Sequence, residues 1–189
     1  MPAPPLPYHI APMRLEDIPQ VMAIERRIFS LAWSSGVYRR ELTANPWSHY
    51  LVMRPHAGGH RPLIGYGGVW QMDQAAHIPT IGLHPDYQGL GLGSCLLLHL
   101  LIVGQDMGCS EATLEVRVSG LAAQRLYRRH RFVEVGRRRD YYNDNGEDAL
   151  IMTREGLAAA DLHAELAAAQ AFVLTRWPAG QPQRMAALP

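Results

Sequence analysis

HPDYQGLGLGSCLLLHLLIVGQDMG, residues 84–108, passes from a turn into six residues carrying three glycines and then into a long apolar run. The run after Ser94 reads as a mostly buried helix ended by Gly108, and His77 to Leu83 before it reads as a strand. Glycines at such a junction let the backbone come close to a ligand. The exposed amides and the helix dipole then favour an anion, typically a phosphate. A Walker A loop is excluded, because no Lys-Ser/Thr pair follows. The dinucleotide pattern G-x-G-x-x-G also fails: counting from Gly89 its sixth position is Ser94, and His84 to Tyr87 separate the strand from the loop. A glycine-rich cap on a buried helix is the plain structural alternative.

Upstream of the loop, Tyr8 to Met13 reads as an edge strand. Asp17 can cap a helix with Pro19 in its first turn, and Ile18, Val21, Met22, Ile28 and Phe29 form its apolar stripe. SLAWSS breaks that helix, and Ser34 or Ser35 can cap a second one carrying Val37, Tyr38, Glu41 and Leu42. Strands are expected over Tyr50 to Arg54 and Leu63 to Met72, separated from their neighbours by the turns HAGGH and DQAA. Downstream, Ala112 to Val118 is strand-like. Ser119 to His130 is a helix with Leu121, Ala122, Leu126 and Tyr127 inward. Phe132 to Gly136 and Asp148 to Met152 are strands joined by YYNDNG. This order implies a mixed α/β fold with a partly parallel sheet. Residues 1–7, with four prolines, read as a disordered lead-in, 8–153 as the domain, and 154–189 as an alanine-rich helix and tail. That helix would pack on its own domain or on a second subunit.

The composition fits one globular domain with an appendage: 189 residues, 48% hydrophobic, 19% charged, net charge +1. A core of about 150 residues buries roughly two-thirds of the surface of its unfolded chain and needs no staple. Cys95 and Cys109 are too few for a disulfide framework, lack metal-ligand spacing and read as small buried residues. MPAPPLPYHI has no basic region followed by an apolar one, so it is not a secretory signal. The run from Cys95 to Val103, interrupted by His99, is far shorter than a membrane span of about 20 residues. The expectation is a soluble cytoplasmic protein. His56 and His60 lack a supporting carboxylate or cysteine cluster, so no metal is expected. All 18 basic residues are arginine. Eight lie between Arg117 and Arg139 (Arg117, Arg125, Arg128, Arg129, Arg131, Arg137, Arg138, Arg139). Such a stretch can hold phosphates or an acidic or nucleic-acid-rich partner, or it reflects arginine replacing lysine throughout.

Gln88, Gly91 and Gly93 fall on the positions of Q/R-x-x-G-x-G/A, the pyrophosphate-binding signature of the GNAT acetyltransferases, and HPDYQ resembles the lead-in V-x-P-x-Y/F-R/Q. LEVRVSGLAAQRLYRRHRF resembles that family's L-E-V-R-x-S-N-x-x-A-x-x-L-Y-x-x-x-G-F. GRRRDYYNDNGEDALIM and IERRIFSLAWS resemble the last hairpin and the F-x-x-P-W-S acceptor loop of its RimI branch. The likeness spans about residues 8–153. It implies the GNAT fold, a central twisted mixed sheet flanked by helices and splayed where coenzyme A enters. It also implies direct acetyl transfer from acetyl-CoA to the α-amino group of an alanine-starting small-subunit ribosomal protein.

The resemblance assigns Glu115 as general base, through water, and Tyr127 as the acid that protonates the departing sulfur. It assigns the donor to Ile81, Gly82, Leu83, Gln88, Gly89, Leu90, Gly91, Leu92, Gly93, Ser94 and Gly120, with Gly82 allowing close backbone approach. Trp33, Tyr141 and Tyr142 would wall the acceptor groove, with Glu147 and Asp148 nearby. Each has a plainer reading. Glu115 alternates with Leu114 and Val116 and would be a solvated strand residue; Tyr127 and Trp33 would be core aromatics; Glu147 and Asp148 would pair with Arg137 to Arg139. Departures from the pattern are Gly120 in place of asparagine, Arg131 in place of the helix-ending glycine, and Ala32 in place of proline. At Arg131 the helix end must differ or strain. Rival readings are a GNAT enzyme for a small-molecule amine or a protein lysine, and a non-catalytic acetyl-CoA-binding module with an arginine-rich partner surface. Direct nucleic-acid contact and the choice between monomer and homodimer stay open at this stage.

Overall fold

The computed structural model describes residues 5–56 and 62–177. The elements run β1 (Tyr8–Pro12), α1 (Ile18–Ile28), α2 (Ser35–Ala44), β2 (Ser48–Pro55), β3 (Gly65–Met72), β4 (Ala75–His77), β5 (Ile81–Leu83), α3 (Leu92–Asp106), β6 (Glu111–Arg117), α4 (Leu121–Arg129), β7 (Val133–Tyr142), β8 (Glu147–Arg154) and α5 (Leu162–Arg176). They build one eight-stranded sheet in the order β1-β2-β3-β4-β6-β8-β7, with β5 paired to β3 alongside β4. Every pair is antiparallel except β4 with β6. This is the mixed, partly parallel α/β sheet expected from the order of elements. HAGGH beyond His56, His60, residues 1–4 and the tail after Trp177 lie outside the described residues.

The largest correction concerns His77 to Leu83, which is not one strand. β4 pairs with β3 and runs parallel to β6, whereas β5 pairs with β3 alone. Pro79 stands at the break, where it has no amide to give to a ladder. The sheet splits there: β6 continues without β5 beside it. Hydrogen bonds from the His84 amide to the Ile64 carbonyl (2.8 Å) and from the Gly68 amide to the Thr80 carbonyl (3.0 Å) fix the alternation along β5. The Ile81 and Leu83 amides therefore turn away from β3, toward the split.

The two faces carry separate cores. On one, Leu92, Leu96, Leu97, Leu100 and Leu101 of α3 pack with Leu114 and Val116 of β6, Tyr127 of α4, and Leu162, Leu166 and Val173 of α5. The C-terminal helix thus packs on its own domain. Arg154 of β8, 1% exposed, donates to both Glu165 oxygens at 2.7 and 3.0 Å and ties α5 down. On the other face, Ile18, Val21 and Ile24 of α1 and Tyr38 of α2 cover Tyr50, Val52 and Tyr66.

Smaller corrections follow from this packing. The α1 face includes Ile24 and Glu25, both buried, while Phe29 is exposed. In α4, Leu121 is exposed and Gln124 is buried, because the Gln124 amide donates to the carbonyls of Arg117 (2.9 Å) and Val118 (2.8 Å) where β6 ends. β7 extends through Tyr141 and Tyr142, so the connecting turn is shorter than YYNDNG. The DQAA turn tightens to Asp73 and Gln74, with Asp73 left-handed at φ 56° and Ala75 already in β4.

Candidate active site

The split makes a slot between the two faces. On the α3 face the glycine loop leads into the helix. Gly89 and Gly91 have φ of 78° and 87°, a left-handed backbone that side chains resist, and Gly91 is the N-cap of α3. A Cβ on Gly91 would lie 2.7 Å from Phe172 of α5. Gln88 donates from its amide to the Leu83 carbonyl (3.2 Å), fastening the loop to β5. Leu92 is buried in the core, half-buried Leu90 packs at its rim, and half-buried Gly93 sits against Leu126 of α4. The Ser94 hydroxyl meets the His130 Nε2 at 2.9 Å. Beside it lies a cavity of about 430 Å³ bordered by Arg129, Arg131, Glu165 and Phe172.

Gly82 and Gly120 both sit in tight surroundings. The space left by Gly82 is filled from the α1 side: a Cβ there would lie 2.5 Å from Ile28 and 3.0 Å from Tyr66. Its lack of a side chain thus admits Ile28 of α1. At Gly120 a Cβ would lie 3.1 Å from the Arg117 carbonyl, a tight fit that the glycine avoids. Arg131 keeps the left-handed turn of the missing glycine at φ 65°, so the helix end strains rather than rearranges.

The opposite face carries Glu115. Alternation along β6 sends Ala112, Leu114 and Val116 into the α3 core and turns Glu115 the other way. Its carboxylate is enclosed, with 13% of the side chain exposed, and is not a solvated strand residue. Arg138 of β7 donates from Nε to Glu115 Oε1 at 3.1 Å, and His77 Nε2 stands 3.5 Å from Oε2. The His77 ring leans on Trp70 at 5.7 Å, and Trp70 stacks on Trp33 at 6.2 Å. Trp33, on the α1–α2 connection, is therefore joined to Glu115 through a file of rings. Sequence reasoning missed Trp70, His77 and Arg138; the proline that breaks the strand just after His77 was the available signal.

Buried Glu25 fixes the loop bearing Trp33. It accepts from the Trp33 amide (3.0 Å), the Tyr38 hydroxyl (2.5 Å) and the Tyr66 hydroxyl. Burial, with Glu25 adding to it, pushes both phenols well above their ordinary range, so they remain donors. Arg117 fixes the β7–β8 hairpin. It donates to Asp144 (2.8 and 2.9 Å), Asn145 (3.1 Å), Glu147 (3.1 Å) and Ser30 (3.3 Å), and its guanidinium lies 3.7 Å over the Tyr142 ring. Ser30 donates to Asp144 as well, which clasps the α1–α2 connection to the β7–β8 turn.

Tyr141 and Tyr142 pack edge to face at 5.2 Å. Tyr142 is near enough to Tyr127 to add to the rise of its phenol, most of which comes from burial. Burial pushes Tyr142 itself up to about 12. Glu147 and Asp148 are engaged elsewhere. Glu147 is held down at about 2 by hydrogen bonds from Ser119 and then Arg117, and Asp148 pairs with Arg137 at 3.0 Å. The arginine stretch is therefore not one patch. Arg117, Arg128, Arg131, Arg137 and Arg138 are ion-paired, and among the described residues Arg125, Arg129 and Arg139 show no such pair. Cys95 and Cys109 are free and buried, and burial raises both thiols, which makes them poor nucleophiles. No metal-holding group of His, Cys, Asp or Glu occurs among the described residues, and no helix among them is long and apolar enough to cross a membrane.

Residues 18–132 match the model of the Acetyltransferase (GNAT) family, and the chain belongs to that family. It is an acetyltransferase with acetyl-CoA as acyl donor. It is 41% identical over 140 residues to the putative ribosomal protein bS18-alanine N-acetyltransferase of Bacillus subtilis, covering 74% of this chain and 90% of that one. It is 35% identical over 155 residues to the N-alpha-acetyltransferase RimI of Mycobacterium tuberculosis, covering 79% and 93%. The crystal structure of the ribosomal-protein-S18-alanine N-acetyltransferase from Escherichia coli superposes with a TM-score of 0.70 at 28% identity, covering 82% of this chain and 97% of the other.

Proposed function

We propose that this enzyme acetylates the N-terminal α-amino group of a protein, an alanine-starting small-subunit ribosomal protein being its acceptor. The observation that carries the reading is the slot. Glu115 lies on one face of the sheet and Tyr127 on the other, with the outward-turned amides of Ile81 and Leu83 at the break between them. The names of the Bacillus and Mycobacterium relatives support the acceptor class.

Acetyl-CoA, when bound, supplies a thioester carbonyl open to attack by an amine. The glycine-loop amides at the start of α3 suit its pyrophosphate, and Arg129 and Arg131 at the adjoining cavity suit further phosphate. An outward amide of β5 would polarise the carbonyl oxygen. Trp33, Tyr141 and Tyr142 form the walls of the acceptor groove, and Glu115 takes a proton from the incoming ammonium. An α-amino group has a pKa near 7.7–8.0 against about 10.4 for lysine, so a carboxylate base is adequate for the first and poor for the second. Tyr127, kept protonated by burial, gives its proton to sulfur as the carbon–sulfur bond breaks, and the second proton shed by the nitrogen as the amide forms restores the phenol.

Mass spectrometry of an alanine-starting peptide, its Nα-blocked twin and a polyamine tests the reading. One acetyl on the free peptide and none on the other two is the expected result. Equal modification of the blocked peptide would replace it with a lysine acceptor, and turnover of the polyamine alone would replace it with a small-molecule amine.

A further inference from the structure

α5 lies beyond residue 132, where the match to the family model ends, and the mechanism above gives it no task. Two stripes run along it. Leu162, Leu166 and Val173 are buried and pack into the α3 core. Glu165, Ala168, Ala169 and Phe172, spaced i, i+3, i+4 and i+7, form the second stripe and line the cavity of about 430 Å³ beside the glycine loop. Ser94 from the first turn of α3, with Arg129 and Arg131 from the end of α4, completes the lining used here. That volume falls within the about 300–1,000 Å³ of small-molecule sites. Phe172 is 44% exposed, and a Cβ on Gly91 would lie 2.7 Å from its ring. The small side chains of Ala168 and Ala169 leave the space beside it open. Glu165 is answered by buried Arg154, so Arg129 and Arg131 give the cavity an excess of positive charge. Trp177 stacks on Tyr87 at 6.2 Å and fastens the end of α5 to the segment leading into the loop.

We propose that α5 is a donor-binding element: the cavity takes the adenosine end of acetyl-CoA, with Phe172 against the base and Arg129 and Arg131 on the ribose phosphate. This rests on the reading that the glycine-loop amides hold the pyrophosphate. In acetyl-CoA the thioester and the adenosine lie on opposite sides of the pyrophosphate. The loop is fastened to β5 at its start, through Gln88, and borders the cavity at its end, through Ser94. With the thioester at the β5 split, the adenosine therefore leaves the loop toward α5. A purine offers a flat face on which an aromatic ring stacks, and a guanidinium meets a phosphate through paired N–H donors. The reacting end of the donor is thus held by backbone, and only its far end meets side chains that α5 helps to place.

The test is calorimetry of CoA, dephospho-CoA and 4′-phosphopantetheine on the wild type, Phe172→Ala, Phe172→Tyr and the double variant Arg129→Ala with Arg131→Ala. Phe172→Ala should bind CoA about tenfold more weakly, yet bind 4′-phosphopantetheine, which lacks the adenosine, as the wild type does. Phe172→Tyr should restore the CoA affinity. Dephospho-CoA, without the ribose phosphate, should bind the wild type about tenfold more weakly than CoA, and the double arginine variant should erase that difference. Equal affinity of CoA and 4′-phosphopantetheine for the wild type would overturn the assignment of the cavity. So would an equal loss for both ligands in Phe172→Ala, which would make the ring a support for the loop alone. CoA affinity unchanged in Gly91→Ala would remove the glycine loop as the pyrophosphate site, and the α5 site with it. A weakened Gly91→Ala beside an unaffected Phe172→Ala would remove only the role of α5.

Discussion

On the α3 face the proposed donor site is made of backbone: Gly89 and Gly91 at positive φ, the start of a helix, and the outward amides of Ile81 and Leu83. On the α1–α2 face the proposed acceptor groove is made of side chains drawn from distant parts of the chain. Arg117 reaches Ser30 across 87 positions, and Ser30 reaches Asp144 across 114. A donor common to a whole family is suited by a site that hardly depends on side-chain identity. An acceptor particular to one enzyme needs a groove whose walls are set by specific side chains, and those walls must be clasped in place.

Removing the Glu25 clasp gives the largest expected effect. Glu25→Ala strands the Trp33 amide and the hydroxyls of Tyr38 and Tyr66, and each buried group left unpaired costs about 1–3 kcal/mol, so urea unfolding should show a loss of about 3 kcal/mol. Glu25→Gln, which keeps one acceptor oxygen, should lose less, and in both variants the peptide KM should rise while acetyl-CoA affinity holds. A fall in acetyl-CoA affinity instead would dissolve the separation of the two faces.

Gly91→Ala probes the donor side in the opposite sense. A left-handed alanine costs about 1–2 kcal/mol, and its Cβ meets Phe172 at 2.7 Å. Calorimetry should show weaker acetyl-CoA binding with the peptide KM unaltered. Arg131→Gly should raise stability by up to about 1 kcal/mol by relieving the strained helix end, since the 3.8 Å pair it forfeits with Glu165 is largely exposed on the arginine side. An unchanged or lower unfolding midpoint would show that the Arg131 side chain matters more than its backbone.

The smallest effect near neutrality is on pH. Burial lowers His77, His84, His99 and His130, so the unfolded chain binds their protons first, near 6.5. Their contribution is fully present above that value and is lost as pH falls through the lower folded values. Tm should be flat from pH 7.5 to 8.5 and should drop between 6.5 and 5. A Tm that rises over that acid range would contradict the burial of these rings.

The order of elements and the glycine loop were legible because each is written in a short span, as periodicity, a turn or a motif. The split was not, since a strand that changes partners keeps the same alternation. Only Pro79 marked it. Glu25 was equally hidden: a carboxylate on an amphipathic helix reads as solvent-facing until the hydroxyls from α2 and β3 arrive to hold it. Arg138 stood unremarked within a run of arginines, and pairing across β7 and β8 singles it out. The appended helix was visible as an alanine-rich stretch, but its partner, the buried Arg154, was not.

The most direct test of the slot as the seat of chemistry is kcat of Glu115→Gln on a free alanine-starting peptide at saturating acetyl-CoA, with the acetyl-CoA Kd measured on the same protein. A fall of about 10²- to 10⁴-fold in kcat with Kd unchanged is expected of a lost general base facing the acceptor side. A kcat within about twofold of the wild type would move the chemistry away from Glu115 and contradict the account.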